Sequence, residues 1–462
     1  MSIHRLLLLS LSSLLIAFAA ARPSIVRADD DLVQTVINLV SDKDKDVRAV
    51  GLEQVRDQAK GAEATRRFAA ALPKLAPEAQ VGLLAALAER GDAAARPAVL
   101  DLLAHAQAEV RGAAIHALGA LGDSGDVPRL TKLLGDAACE QDAVTALTRL
   151  RGAGVNAALC AELKAAAPTL RVKILQLLVA RHAVDSVPQV LEAARDADAK
   201  VRIAAMEALG QLAGPELVAK LARLILDAKD TAVREETEKS LMLVCQKNPD
   251  VDQRAVVLLA FMAKLNDAEK PRLLPALGRI GGKPAREVVE ESLGSKDAAR
   301  RASALRALCH WPDGSVSARL IELALAANDP AERKMLVDAL IRVAPLPDKR
   351  PDAERLAMLK KAMEFCASDT QRAAVLKRAR AIRSLDTLRF VAPYMDRPEF
   401  CQLACETVVE LAHHKELRQP NKAEFDKALD KVLSLSKDPT VLLRATRYKK
   451  DETWVEKQIQ GK

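Results

Sequence analysis

Three short stretches of this 462-residue chain hold residue types that could do chemistry. Cys309-His310-Trp311 sets a thiol beside an imidazole, and a thiol becomes a nucleophile only when a base or a positive field holds it as thiolate. The triplet closes a helical pattern, where sequence neighbours point in different directions, so adjacency alone makes no thiol–base pair. Cys401 and Cys405 stand four apart on a predicted helix, with His413 and His414 beyond them. Structural zinc sites usually draw their cysteines from loops or knuckles, and an i, i+4 helical pair is poorly placed for a disulfide, so ordinary packing is the expectation there. The third stretch, QRAAVLKRARAIRSLDTLR at 371–389, sets Arg372, Lys377, Arg378, Arg380, Arg383 and Arg389 against the single acid Asp386. Such a run is either a solvated helix face or a docking patch for an anionic partner: an acidic protein, a phospholipid head group or an envelope polysaccharide.

Other signatures are missing. The sequence has no Cys-x-x-Cys-His, no Gly-rich phosphate loop, no His-Glu-x-x-His and no Gly-x-Ser-x-Gly. The expectation is therefore no catalytic residue, no cofactor and no metal. Nucleic acid is not expected either, because no aromatic residues interleave with the basic run for stacking on single strands.

The elements that carry these residues follow from composition. Half of the residues are hydrophobic but only 2% are aromatic, which leaves Ala, Leu and Val to build the core. These small and helix-favouring side chains let helices approach closely. EVRGAAIHALGALGD at 109–123 and KVRIAAMEALGQLAG at 200–214 spell nearly the same words, and similar words recur about every 31 residues. With the Val as position zero, the series is Val47, Ala79, Val110, Cys139, Leu170, Val201, Val233, Glu269, Arg300, Glu332, Gln371, Phe400 and Val441. Four residues on, every position is small or apolar apart from Thr237. Eight residues on stand Val55, then Leu without a break from Leu87 to Leu340, then Ala379 and Val408, and only Lys449 in the last unit breaks the pattern. Offsets of zero, four and eight trace one stripe of a helix, the stripe that must be buried. Three residues before position zero, Asp recurs as Asp44, Asp136, Asp198, Asp230, Asp297, Asp329 and Asp438, where an N-cap belongs. A second apolar segment per unit opens near a proline, as at Pro97, Pro128 and Pro188. The unit is helix, turn, helix, too short to enclose a core unless stacked on its neighbours.

The word Val-Arg-x-Ala-Ala-x-x-Ala-Leu-Gly, with Asp before it, resembles the HEAT-like repeat, in the short form first described in phycobilin lyases. That resemblance covers nearly all of the chain after its leader. It implies an all-α fold: an α-solenoid of about thirteen stacked antiparallel helix pairs. It also implies that the Arg following the Val, here Arg48, Arg111, Arg171, Arg202, Arg234, Arg301 and Arg333, is structural and joins a ladder of ion pairs between units.

The N-terminus runs from His4 and Arg5 through an apolar stretch to small residues, in the order of a secretory signal peptide. Residues 1–28 are expected to be that leader, 29–344 regular repeats, and 345–462 less regular repeats with a cap. Cleavage after Ala28 removes three arginines and lowers the formal charge from +8 to +5; an uncleaved leader would anchor the chain in the membrane. APLPDKRP at 344–351 is expected to be an exposed hinge or loop. The seven cysteines are expected as buried free thiols. The function implied is that of an exported, non-catalytic scaffold, periplasmic or extracellular, binding a protein partner along a concave face. The alternatives are a binder of an anionic envelope component through the basic C-terminal run, and an enzyme accessory like the lyases. A cavity with a perturbed Cys309 or His310 would mark the last.

Overall fold

The computed structural model describes residues 32–452. Among these residues every regular element is a helix. The leader and the end of the polar cap lie outside the described residues.

The chain divides between Ala213 and Gly214 into two compact units. In the first, the helices that carry the repeated word are α1 (Lys45–Asp57), α2 (Pro77–Arg90), α3 (Ala108–Leu121), α4 (Glu140–Arg149), α5 (Pro168–Ala180) and α6 (Ala199–Leu212). Each packs on the next, and shorter helices such as Arg96–Asp101, Val127–Leu133 and Val187–Ala193 return the chain between them. Each of these three return helices follows a 3₁₀ turn and has its proline at the start, where a missing N–H costs no helical bond. The first unit is thus an α-solenoid of stacked helical hairpins.

The second unit repeats the plan with α7 (Thr231–Gln246), α8 (Leu274–Ile280), α9 (Ala298–Cys309), α10 (Pro330–Val343), α11 (Asp369–Ala379), α12 (Cys401–His413) and α13 (Pro439–Lys449). These again pack in sequence, with return helices such as Val218–Asp227, Ser317–Ala326 and Asp352–Phe365 against them.

The stripe is where the period places it. Leu87, Leu118, Leu147, Leu178, Leu209, Leu241, Leu277, Leu308 and Leu340 are all fully buried, and so are Val55, Ala379 and Val408. Thr237, the polar exception four residues past position zero, is buried too and returns its hydroxyl to the Val233 carbonyl at 2.7 Å. Small residues set how near the helices come. A Cβ on Gly278 of α8 would meet the Ala307 carbonyl oxygen of α9 at 2.1 Å, so only glycine permits this approach.

Asp198, Asp230 and Asp438 each accept from two backbone N–H groups of the first turn, and Asp44, Asp297 and Asp329 each accept from one. Asp136 differs: it accepts from Ala138 N at 3.0 Å and closes a turn, and α4 starts later, at Glu140. The α11 helix has no Asp at this place and uses Ser368. Near α8 the pattern also departs from a plain helix. Pro271 and Pro275 remove two N–H donors, so Lys270–Leu273 winds as a 3₁₀ turn before the α-helix begins. Replacing Asp198 with alanine is expected to lower stability by about 1 kcal/mol, read as a shift in the urea midpoint, because two N–H groups lose their acceptor.

The 344–351 connector is a run of turns and bends. It is tied down at Arg350, which bonds to Asp348, to the Ser317 hydroxyl at 3.2 Å and to the Met358 sulfur.

Candidate functional site

The arginines that follow position zero have a shared local task. Arg48, Arg111, Arg202, Arg301 and Arg333 each donate to the carbonyl six residues earlier, at 2.6–3.0 Å, at the end of the preceding segment. Arg171 does both jobs, bonding Ala166 O at 2.8 Å and pairing with Asp196 of the next hairpin. Arg234 bonds weakly to Thr231 Oγ1, at 3.4 Å.

Ties between successive hairpins run through other arginines, which the repeat word does not mark. Arg90 at the end of α2 reaches the carbonyls of Val55 in the last turn of α1 and of Gln58 and Ala59 just past it. Arg181, just past α5, holds Leu147, Thr148 and Leu150 carbonyls at the end of α4. Arg342 of α10 does the same for Cys309 and Trp311 at the end of α9. In each case a guanidinium supplies donors to the orphan carbonyls that close a helix.

The basic run at 371–389 is not brought together as one patch. Arg372 pairs with Asp369 and donates to Cys366 O; Arg378 donates to Arg342 O; Arg389 is bound by Glu424 and Asp386. Lys377, Arg380, Arg383 and Arg389 are the exposed members, and Arg389 also borders an open cleft of about 500 Å³ with Lys360, Phe390 and Tyr394.

The seven thiols are free, and all but Cys401 are buried. Burial pushes Cys405 and Cys309 up to about 12, which leaves both protonated. His413 Nδ1 and the Tyr448 hydroxyl share a hydrogen bond of 2.9 Å. Among the described residues no group of three His, Cys, Asp or Glu could hold a metal ion.

His310 lies elsewhere than its neighbour. It lines a cavity of about 290 Å³ built by three successive repeat helices: Thr231, Arg234, Glu235 and Glu238 come from α7, Arg272 and Pro275 from the turn and start of α8, and Ser303 and Arg306 from α9. Glu238 is only 4% exposed and is held by Arg279 at 3.3 Å. Burial raises its carboxyl above the usual range, with Arg279 pulling the other way. Burial, together with the positive charges of Arg279, Arg342 and Arg306, lowers His310 to about 4, and its buried Nδ1 has no hydrogen-bond partner. A neutral imidazole beside a protonated thiol makes no nucleophile pair. Sequence reasoning named His310 as a residue that such a cavity would perturb, reached Arg234 only as a repeat arginine, and missed Glu238, Arg272 and Arg306. The one available hint was Thr237, the polar break in an otherwise apolar column, one residue from Glu238.

The repeats also match known sequences. The family model described as HEAT repeats covers residues 65–148 and 156–242. These segments are HEAT repeats. Among curated proteins none matches the chain. Among solved structures, this chain is similar to Kap121p bound to Pho4p, at 12% identity and a TM-score of 0.43, over 90% of this chain and 53% of that one. It is similar to yeast importin-beta (Kap95p), at 12% identity and a TM-score of 0.41, over 91% of this chain and 68% of that one. A human deoxyhypusine hydroxylase structure aligns at 21% identity and a TM-score of 0.25, over 63% of this chain and 99% of that one. The chain spans about half the length of Kap121p.

The cavity makes stability sensitive to pH. His310 titrates near its ordinary 6.5 when unfolded and at about 4 when folded. Between those values the unfolded chain binds the extra proton, so stability is full above 6.5 and is lost as pH falls toward 4. Raised Glu238 acts oppositely, losing its contribution as pH rises through its folded value. Asp92, held low first by the Ala94 N–H, matters only below 3.8. Urea midpoints at pH 6.5, 5.5 and 4.5 are expected to fall steeply in the wild type and more gently in His310→Gln.

Proposed function

We propose that this HEAT-repeat chain is a non-catalytic scaffold that binds a protein partner across the face made by its successive repeat helices. One observation carries the reading: side chains from α7, α8 and α9 converge on a single polar cavity, so outward-facing residues of neighbouring repeats act as one surface. A stacked array suits this task because every hairpin adds a strip of contact without a new core. Export through residues 1–28 belongs to the same reading and rests on the order of those residues alone. The runner-up is contact with an anionic envelope component, favoured by the exposure of Lys377 on α11 and of Arg380 and Arg383 just after it.

The test is capture of partners by the tagged chain at low and high salt, followed by lysine cross-linking and mass spectrometry. The scaffold predicts salt-resistant cross-links at Lys200, Lys239 and Lys334 on repeat helices, in preference to Lys132, Lys164 and Lys220 on return helices. Capture of polyanions only, lost at high salt, would favour the runner-up.

A further inference from the structure

We propose that the cavity between α7, α8 and α9 is an anion pocket that takes a carboxylate side chain from an acidic segment of the partner. The proposal rests on the scaffold reading and adds the chemistry of one contact.

Arg234, Arg272 and Arg306 line the cavity, and among the described residues none of them has a carboxylate within ion-pair distance. The side-chain bonds they do make are to neutral hydroxyls: Arg234 to Thr231 at 3.4 Å and Arg306 to Ser303 at 3.1 Å. Other arginines of the same unit do have acids, as in Arg223–Glu269, Arg300–Glu291, Arg319–Glu290 and Arg444–Glu410. Of the two acids in the wall, Glu238 is already taken by Arg279 and Glu235 is exposed to water. Three guanidinium groups, drawn together by α7, the turn before α8 and α9, outnumber the two wall carboxylates, one of which Arg279 already holds, and are complementary to an anion. His310, kept neutral first by burial and then by nearby arginines that include Arg306, adds an unpartnered buried nitrogen to the wall. A volume of about 290 Å³ admits the end of an acidic side chain. The two wall glutamates set the preference between anions: they repel a phosphate dianion more than a carboxylate, which carries a single charge and fits a guanidinium fork.

The experiment uses the full chain and a fluorescein-labelled hexaglutamate peptide, with hexaglutamine as the neutral counterpart, read by fluorescence anisotropy. Saturable binding of hexaglutamate and none of hexaglutamine is expected. The Arg272→Ala/Arg306→Ala double substitution is expected to weaken binding by about tenfold or more. Both residues are exposed, so the variant should fold, and matching circular dichroism and melting confirm that it does. Arg129→Ala, an exposed arginine of the first unit, should leave binding unchanged. Equal binding by the double variant, equal loss in Arg129→Ala, or stronger competition by inorganic phosphate than by butyrate, a single carboxylate, would overturn the proposal. Partner capture that survives the double substitution overturns the pocket and leaves the scaffold standing. Absence of cross-links on the repeat helices fails the scaffold reading without touching the peptide measurement.

Discussion

Leu178→Ala is expected to lower stability by about 3 kcal/mol, read as an earlier urea transition with an unchanged slope. Leu178 is fully buried on α5, which packs on both α4 and α6. Removing its branched end loses the transfer energy of the missing carbons and leaves a hole as well. The hole should persist. The flanking helices offer buried Ala143, Ala146, Ala205 and Ala208, which have no rotamer with which to swing in, and their Leu147 and Leu209 are already fully buried in their own places in the stripe. An aromatic-rich core would relax further and lose less. A loss below about 1 kcal/mol would mean that the flanking helices close the gap by moving, against the tight-packing account.

Arg181→Met is expected to cost about 2 kcal/mol, and Arg181→Lys to recover little of it. The Nη1 atom of Arg181 bonds the carbonyls of Leu147, Thr148 and Leu150 at 2.6–3.1 Å, while its Nε reaches the Asn156 side chain at 3.0 Å. Methionine keeps most of the stem packing and removes every donor, so the variant isolates the loss of caps on the last turn of α4. A lysine ammonium brings three donors at one point and cannot span the carbonyl cluster and Asn156 together. Urea midpoints of both variants against Arg129→Ala, an exposed position where changes usually stay within about 0.5 kcal/mol, check the claim. A methionine variant no weaker than Arg129→Ala would show that water replaces the guanidinium at no cost.

These two substitutions divide along the line between what could be read in the chain and what could not. The burial of Leu178 was legible because a helix has a fixed period: residues at offsets zero, four and eight share a face in any helix, whatever it packs against. The caps at Asp198, Asp230 and Asp297 were legible for the same reason, being satisfied within three residues of themselves. Arg181 was not legible, since its carbonyls lie 31 to 34 residues back and are reached only once hairpins have stacked. The basic run shows the opposite failure, for proximity in sequence suggested one patch while Arg372, Arg378 and Arg389 found separate partners on different elements.

The sequence by itself determined the all-helical hairpin, its period, the buried stripe and the capping residues, because all of these depend on interactions a few residues long. Tertiary structure alone decided which outward side chains meet. Arg234, Glu238, Arg272 and Arg306 belong to three different repeats, and only the close approach allowed by residues such as Gly278 sets them around one cavity.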